Sequence, residues 1–182
     1  VSRGMEGDAA ARYFGVFRHL LRENSGFAFD GRNRRPPRDG VNALLSFLYS
    51  VLGKDISGAL QSVGLDPQVG FLHADRPGRD SLAQDLLEEF RAWWVDRMTL
   101  SLINRGQIRL QDFSTEAGGA VNIKPEARKL LFQTLQAKKQ EKIVHPYLQE
   151  EVEIGLLPHI QAMLLARHLR GDLAEYPPFL MR

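Results

Sequence analysis

Apolar residues recur at helical spacing along most of this chain, and the interruptions of that rhythm set its elements. Asp8 to Arg22 reads as a first helix, with Ala10, Tyr13, Phe14, Phe17 and Leu20–Leu21 along one side. From Asn24 to Gly40 the rhythm stops, and Gly, Asn, Pro-Pro and four arginines predict a loop. Val41 to about Val63 is helical again, with Val41, Leu44, Leu45, Leu48 and Leu52 in step. Phe47, Tyr49 and Val51 make this helix apolar almost all round, so it is expected to be central and buried. Gly64 and Pro67 end it.

Ser81 opens a third helix, and Ser81 with Gln84 fits a capping box. Leu82, Leu86, Phe90, Trp93 and Trp94 give its buried side, and it runs to about Ile103. Asp112–Phe113 and Val121–Ile123 flank Gly118-Gly119, the pattern of a small hairpin. Pro125 starts another helix at the position where a missing N–H costs nothing, and this helix is lysine-rich toward Lys142. A last helical stretch is expected over roughly Pro146 to Arg170, interrupted near Gly155–Pro158 and stopped at Gly171. Pro177-Pro178 marks an extended tail. The expected fold is mainly α: one multi-helix domain over residues 1–182, with a small β-hairpin near residues 110–123.

Composition narrows the function classes. At 182 residues, 43% hydrophobic and 25% charged, the chain has globular values and enough length for a proper core. It has no cysteine, which excludes disulfides and thiolate metal sites and fits a reducing cytoplasm. No apolar run is expected to reach membrane-spanning length, and no signal peptide is visible. A net charge of +2 points to nucleic acid only where the positive charge is clustered. The chain starts at Val1 a few residues before a helix and so reads as a piece of something longer.

Three stretches carry candidate chemistry: Gly4-Met-Glu-Gly7, Gly70-Phe-Leu-His73 and Ser81 to Glu88. Asp85 and Glu88 are helix-surface neighbours three residues apart. Periodicity alone favours a solvated acidic face, with Glu88 nearly opposite the apolar stripe and Asp85 toward its edge. Nothing marks Glu89. His73 ends an apolar run, where a structural hydrogen-bonder is the commoner role and a metal ligand the rarer one. Glu6 lies between glycines before a helix, where its charge suits the helix N-terminus and the glycines allow the backbone to approach a partner closely. Arg32, Arg34, Arg35 and Arg38 form a basic loop that is either solvated or phosphate-binding. Arg76 and Arg79 follow His73 and are better placed for a substrate phosphate, and Arg12 in the first helix could join them. His19, His145, His159 and His168 read as structural or surface residues.

Five blocks taken together resemble the CRISPR-associated spacer integrases, the family of the first-numbered Cas protein. They are Gly4 to Phe14, Arg34 to Ser46, Gly70 to His73, Arg79 to Arg91 and Ala166 to Phe179, in order along nearly the whole chain. The Arg-Arg-Pro-Pro loop and the closing block look most like the subtype I-C branch or its close relatives. The resemblance implies a helical C-terminal catalytic domain with one divalent metal, Mg²⁺ or Mn²⁺, held by Glu6, His73 and Glu88, with Asp85 beside them. It implies that short spacer DNA is joined by its 3′-hydroxyl ends to double-stranded CRISPR repeat DNA. Arg12, Arg32, Arg34, Arg35, Arg38, Arg76 and Arg79 are then the expected DNA contacts. It also implies a homodimer, the second-numbered Cas protein and possibly the fourth as partners, no membrane, and the prokaryotic cytoplasm. The family's N-terminal β-rich domain has no counterpart in this sequence. The alternative is a helical DNA-binding or scaffold module with no chemistry of its own.

Overall fold

The computed structural model describes the backbone of residues 2–74 and 76–181, and the side chains from residue 7 onward within that span. Its elements are α1 (Ser2–Phe17), α2 (Gly40–Ser62), α3 (Ser81–Phe90), a π-helical turn (Arg91–Asp96), α4 (Arg97–Asn104), β1 (Phe113–Thr115), β2 (Val121–Ile123), α5 (Pro125–Gln140), β3 (Lys142–Val144), β4 (Glu151–Glu153) and α6 (Leu157–Leu169). The fold is mainly α, as the periodicity predicts, with the expected hairpin in place. Phe113 pairs with Ile123 and Thr115 with Val121 in antiparallel register.

The chain forms two compact units, residues 1–48 with 94–131 and residues 49–93 with 132–182. Neither is a continuous run of sequence, because α2, the helix from Ser81 to Asn104, and α5 each contribute to both. In the first unit, Phe14, Phe17 and Phe29 form an aromatic cluster, with Phe17 and Phe29 centroids 5.1 Å apart. The Tyr13 hydroxyl donates to the buried Asp96 at 2.7 Å. Val41, Leu44, Leu45 and Leu48 of α2 and Trp94, Leu102 and Ile103 are all buried. Gly40 starts α2 beneath Phe27 and Phe113; a Cβ there would lie 2.8 Å from the Phe27 ring. In the second unit Leu52, Ile56, Leu60, Leu82, Leu86, Phe90 and Phe179 are buried.

The expectation that no apolar run reaches membrane-spanning length is corrected: α2 has 23 residues and is long and apolar enough, by length and composition, to cross a membrane. Half of its most apolar window is buried inside the protein, and Val41, Leu44, Leu45, Leu48, Leu52, Ile56 and Leu60 are at most 1% exposed. It is a core helix, as its all-round apolar pattern implied.

Three further expectations are corrected. α1 begins at Ser2 rather than Asp8, so Glu6 lies inside the helix and not before it. The capping box at Ser81 does not form: Asp80 occupies the N-cap position, and the Ser81 hydroxyl donates to Ala74 O at 3.0 Å. Asp80 instead accepts from the Ser57 hydroxyl at 2.6 Å. The helix expected from Pro146 begins only at Leu157, because β3 and β4 form a second hairpin, pairing Lys142 with Glu153 and Val144 with Glu151. Its turn is held by His145, whose Nδ1 accepts from the N–H groups of Tyr147 and Leu148, and Gln149 takes a left-handed conformation with φ 58°.

Candidate functional site

The second unit places His73, Asp85 and Glu88 on a loop and the helix that follows it. Gly70 brings the loop against the start of α3, where a Cβ on it would stand 2.7 Å from Ser81 Cβ. Only glycine allows that approach. One turn into the helix, the Asp85 carboxylate closes the contact. Its Oδ2 accepts from the N–H groups of Phe71 at 2.6 Å and Leu72 at 3.0 Å. Its Oδ1 accepts from the His73 N–H at 3.0 Å and lies 2.5 Å from His73 Nδ1. Successive backbone N–H groups make a nest for a negative group, and here the nest is filled from within the chain.

This geometry decides the chemistry of His73. A carboxylate can only accept, so Nδ1 carries the proton and Nε2 is left as the acceptor nitrogen. A carboxylate fixing one ring nitrogen so that the other can ligate is the usual support of a metal-binding imidazole. Asp85 thereby acts through His73, and its side chain is only 8% exposed. The acidic face expected at Asp85 is corrected to a latch, because its partners come from the loop ahead of the helix.

Glu88 is different. Both of its oxygens lie 2.6 Å from Nη1 of Arg91, one turn along, and its side chain is 33% exposed. The Arg91 guanidinium stacks over the Tyr49 ring at 5.1 Å from its centroid. Burial by itself opposes the Arg91 charge, but Tyr49 and Glu88 outweigh it and push the Arg91 pKa above its ordinary value. Each Glu88 oxygen keeps a further lone pair for a cation. The set of one imidazole nitrogen and carboxylate oxygens fits a hard divalent ion. Among the described residues no three His, Asp or Glu side chains group as a metal site. The side chain of Glu6, the third ligand implied by the resemblance, lies outside the described residues.

Glu89, left unmarked by the sequence reading, organises the C-terminal tail. It accepts from the Tyr176 hydroxyl at 2.7 Å, Gln161 Nε2 at 2.8 Å and the Phe179 N–H at 2.8 Å. Burial raises its pKa, and these three donors pull it back in part. Phe179 packs on Phe90, Trp93 and His145. A periodic signal existed: Leu82, Leu86, Glu89 and Trp93 recur at spacings that share a helix face. His145 is fully buried against Gln161, and burial lowers its pKa. His159 meets Ser62 Oγ at 3.1 Å and His168 meets Leu173 O at 3.0 Å, so these three histidines are structural.

Of the expected DNA contacts, Arg76 is exposed and Arg79 half-buried in the second unit. In the first unit Arg12, Arg34, Arg35 and Arg38 are exposed. Arg32 departs from its neighbours. It donates to Asn33 O, to Asn42 Oδ1 at 2.7 Å and to Ser46 Oγ at 3.0 Å, tying the loop to α2. Asp39 caps α2 by accepting from the Asn42 N–H at 2.7 Å, and Asn33 Oδ1 accepts from the Arg38 N–H at 2.8 Å. The arginine loop is thus built by Asn33, Asp39 and Asn42, with Arg32 as scaffold rather than free phosphate donor.

Fold and site together define a mainly helical protein with a carboxylate-supported histidine followed, in the same loop, by Arg76 and Arg79. The chain belongs to the Cas1 family: the family described as CRISPR associated protein Cas1 matches residues 2–137. It is 56% identical over 181 residues to CRISPR-associated endonuclease Cas1 1 of Chlorobaculum tepidum, covering 99% of this chain and 53% of that relative. The chain therefore spans about half the length of that curated relative. Among solved structures it is similar to a casposase bound to integration product, with a TM-score of 0.83 and 29% identity over 98% of this chain and 50% of the other. It is also similar to a chain of a Cas6-RT-Cas1–Cas2 complex, with a TM-score of 0.82 and 28% identity over 98% of this chain and 19% of the other.

Proposed function

We propose that this chain is the helical catalytic portion of a divalent-metal-dependent DNA endonuclease and integrase of CRISPR adaptation. The observation that carries the reading is the His73–Asp85 pair, which leaves Nε2 of a positioned imidazole for a metal, with Glu88 one turn beyond. His73, Glu88 and, through the resemblance, Glu6 would hold Mg²⁺ or Mn²⁺. Such an ion, when bound, lowers the pKa of an attacking hydroxyl and polarises a phosphodiester.

The chain's own residues do the positioning. Asp85 sets the tautomer and orientation of His73. Arg91 orients Glu88 and adds positive charge beside it. Arg76 and Arg79 offset charge that develops on the phosphate. Arg12, Arg34, Arg35 and Arg38 attract the DNA backbone. In the reaction, a 3′-hydroxyl of short spacer DNA attacks phosphorus at the repeat boundary. A new phosphodiester forms as the old bond from phosphorus to the 3′-oxygen breaks. The proton lost by the nucleophile is balanced by the one gained by the displaced oxygen. One phosphodiester replaces another, so no energy-rich co-reactant is needed; with water as nucleophile the same centre cleaves DNA. The partners proposed are spacer and repeat DNA, a second copy of the chain, and the second- and fourth-numbered Cas proteins. The likeness to a chain of a Cas1–Cas2 complex supports the second-numbered Cas protein as a partner.

The test is strand transfer by the complete natural protein with and without Mn²⁺ or Mg²⁺. Glu6→Ala, His73→Ala and Glu88→Ala are each expected to abolish it while leaving the circular dichroism spectrum unchanged. Wild-type transfer by all three variants refutes the reading. Salt-sensitive DNA binding with no metal response would favour the non-catalytic scaffold.

A further inference from the structure

The turn from Gly70 to His73 joins two properties that seldom coincide: a fixed backbone and apolar side chains in water. Gly70 seats it on Ser81, the Ser81 hydroxyl holds Ala74 O, and Asp85 collects the N–H groups of Phe71, Leu72 and His73. Yet Phe71 is 63% exposed, Leu72 45% and Val69 59%. These side chains forgo the free energy that burial would supply, and the latch prevents them from turning inward. Apolar groups held outward together mark a binding surface. The same loop continues into Arg76 and Arg79. An aromatic face followed by guanidinium groups suits unpaired nucleotides, whose bases stack while their phosphates meet the cations.

We propose that Phe71, flanked by Leu72, is a stacking platform for an unpaired nucleobase at the strand end presented to His73. The inference rests on the DNA reading above and deepens it, because it specifies an end that is single-stranded where it meets the site. Stacking without base-specific hydrogen bonds suits Phe71, whose immediate neighbours Gly70 and Leu72 carry no polar side chain. Asp85 thereby gains a second role. Its one carboxylate sets both the histidine and the platform, so the ligand nitrogen and the stacked base keep a constant spacing.

The experiment uses the complete natural protein and a short duplex whose 3′ overhang carries 2-aminopurine, compared with the blunt duplex. Binding by the wild type is expected to change the 2-aminopurine fluorescence. Phe71→Ala is expected to abolish that change and weaken overhang binding by about tenfold, with blunt-duplex binding altered less than about twofold. Phe71→Trp is expected to retain both signals. Equal binding of both DNAs by Phe71→Ala and wild type overturns the proposal, as does equal weakening of both. A shift in oligomeric state without DNA on Phe71→Ala also overturns it, by assigning the patch to a protein contact. His73→Ala, run in parallel with Mn²⁺ titration, separates the two readings. If it loses Mn²⁺ binding but keeps the fluorescence change, both stand. If it loses Mn²⁺ binding while Phe71→Ala has no effect, the platform alone falls. If it keeps Mn²⁺ binding while Phe71→Ala loses the signal, the metal assignment alone falls.

Discussion

Asp85→Asn separates a latch from a solvated acid more sharply than deletion does. Both carboxylate oxygens of Asp85 are acceptors, Oδ2 for Phe71 and Leu72 and Oδ1 for the backbone and ring of His73. An asparagine has one acceptor oxygen and one donor NH₂ group. Whichever way it is flipped, two N–H donors face another donor. Hydrogen bonds to a charged acceptor contribute about 1.5–3 kcal/mol each, but the turn is exposed and its freed N–H groups can be rehydrated. The expected loss is therefore about 2–4 kcal/mol, well short of four full bonds. Asp85→Asn should then be nearly as destabilising as Asp85→Ala, whereas a surface acid would tolerate the same change within about 0.5 kcal/mol.

Urea unfolding gives the stability, and hydrogen exchange at the amides of residues 71–73 gives the local loss. Loss of the carboxylate that supports a ligating histidine weakens metal binding by about 10–100-fold. Mn²⁺ titration of Asp85→Asn should show that drop, and ¹⁵N chemical shifts of the His73 ring should show a mixture of tautomers. Wild-type stability, amide protection and Mn²⁺ affinity in Asp85→Asn would refute the latch.

Three further outcomes follow from the same geometry. Gly70→Ala drives a methyl group to 2.7 Å from Ser81 Cβ and should lower stability by about 1–3 kcal/mol; an unchanged melting temperature would contradict the close approach. Glu89→Ala removes the acceptor for the Tyr176 hydroxyl, Gln161 Nε2 and the Phe179 N–H, and should lower stability by about 2–3 kcal/mol. Limited proteolysis should then cut near residues 172–179 first, and equal protection would count against the role of Glu89. His145 has its pKa held below 6.5 by burial, so below that pH the unfolded chain takes up the proton before the folded one does. Its contribution is complete above pH 6.5 and is lost as pH falls toward the lowered value, so His145→Gln should flatten the stability–pH curve just below 6.5, as measured by urea melts.

Much of the fold is written in local pattern, because a helix of many residues repeats its signal. α2 and α5 follow directly from apolar spacing and from Pro125. The second hairpin does not, since three-residue strands are shorter than one helical repeat and Lys142 to Glu153 is mostly polar. What closes it is His145 accepting two N–H groups of its own turn, which no spacing announces. The Ser81 and Gln84 pattern was present without its bond, because the Ser81 hydroxyl found Ala74 O across the loop. In the arginine loop, residue type separated basic from neutral positions but not Arg32 from Arg34. That distinction depends on Asn42, ten residues away and buried.

The three acids of α3 show why the candidate site was legible as a region and ambiguous in its roles. All three carry the same charge within one and a half turns, yet the rotation between positions gives each a separate neighbour. Asp85 faces the incoming loop and is consumed by four donors. Glu89 shares the face of Leu82 and Leu86 and is consumed by the returning tail. Among the described residues, Glu88 pairs with Arg91 of its own helix, and it stays one-third exposed. A cation arriving from solvent competes at Glu88 with one guanidinium, whereas at Asp85 or Glu89 it would have to break contacts between distant parts of the chain. The carboxylate available for ligation is therefore set by which acid the fold leaves unlatched. Helical periodicity alone favoured a solvated face for Asp85 and Glu88 alike, because it records the direction of a side chain and not what the loop and tail bring to meet it.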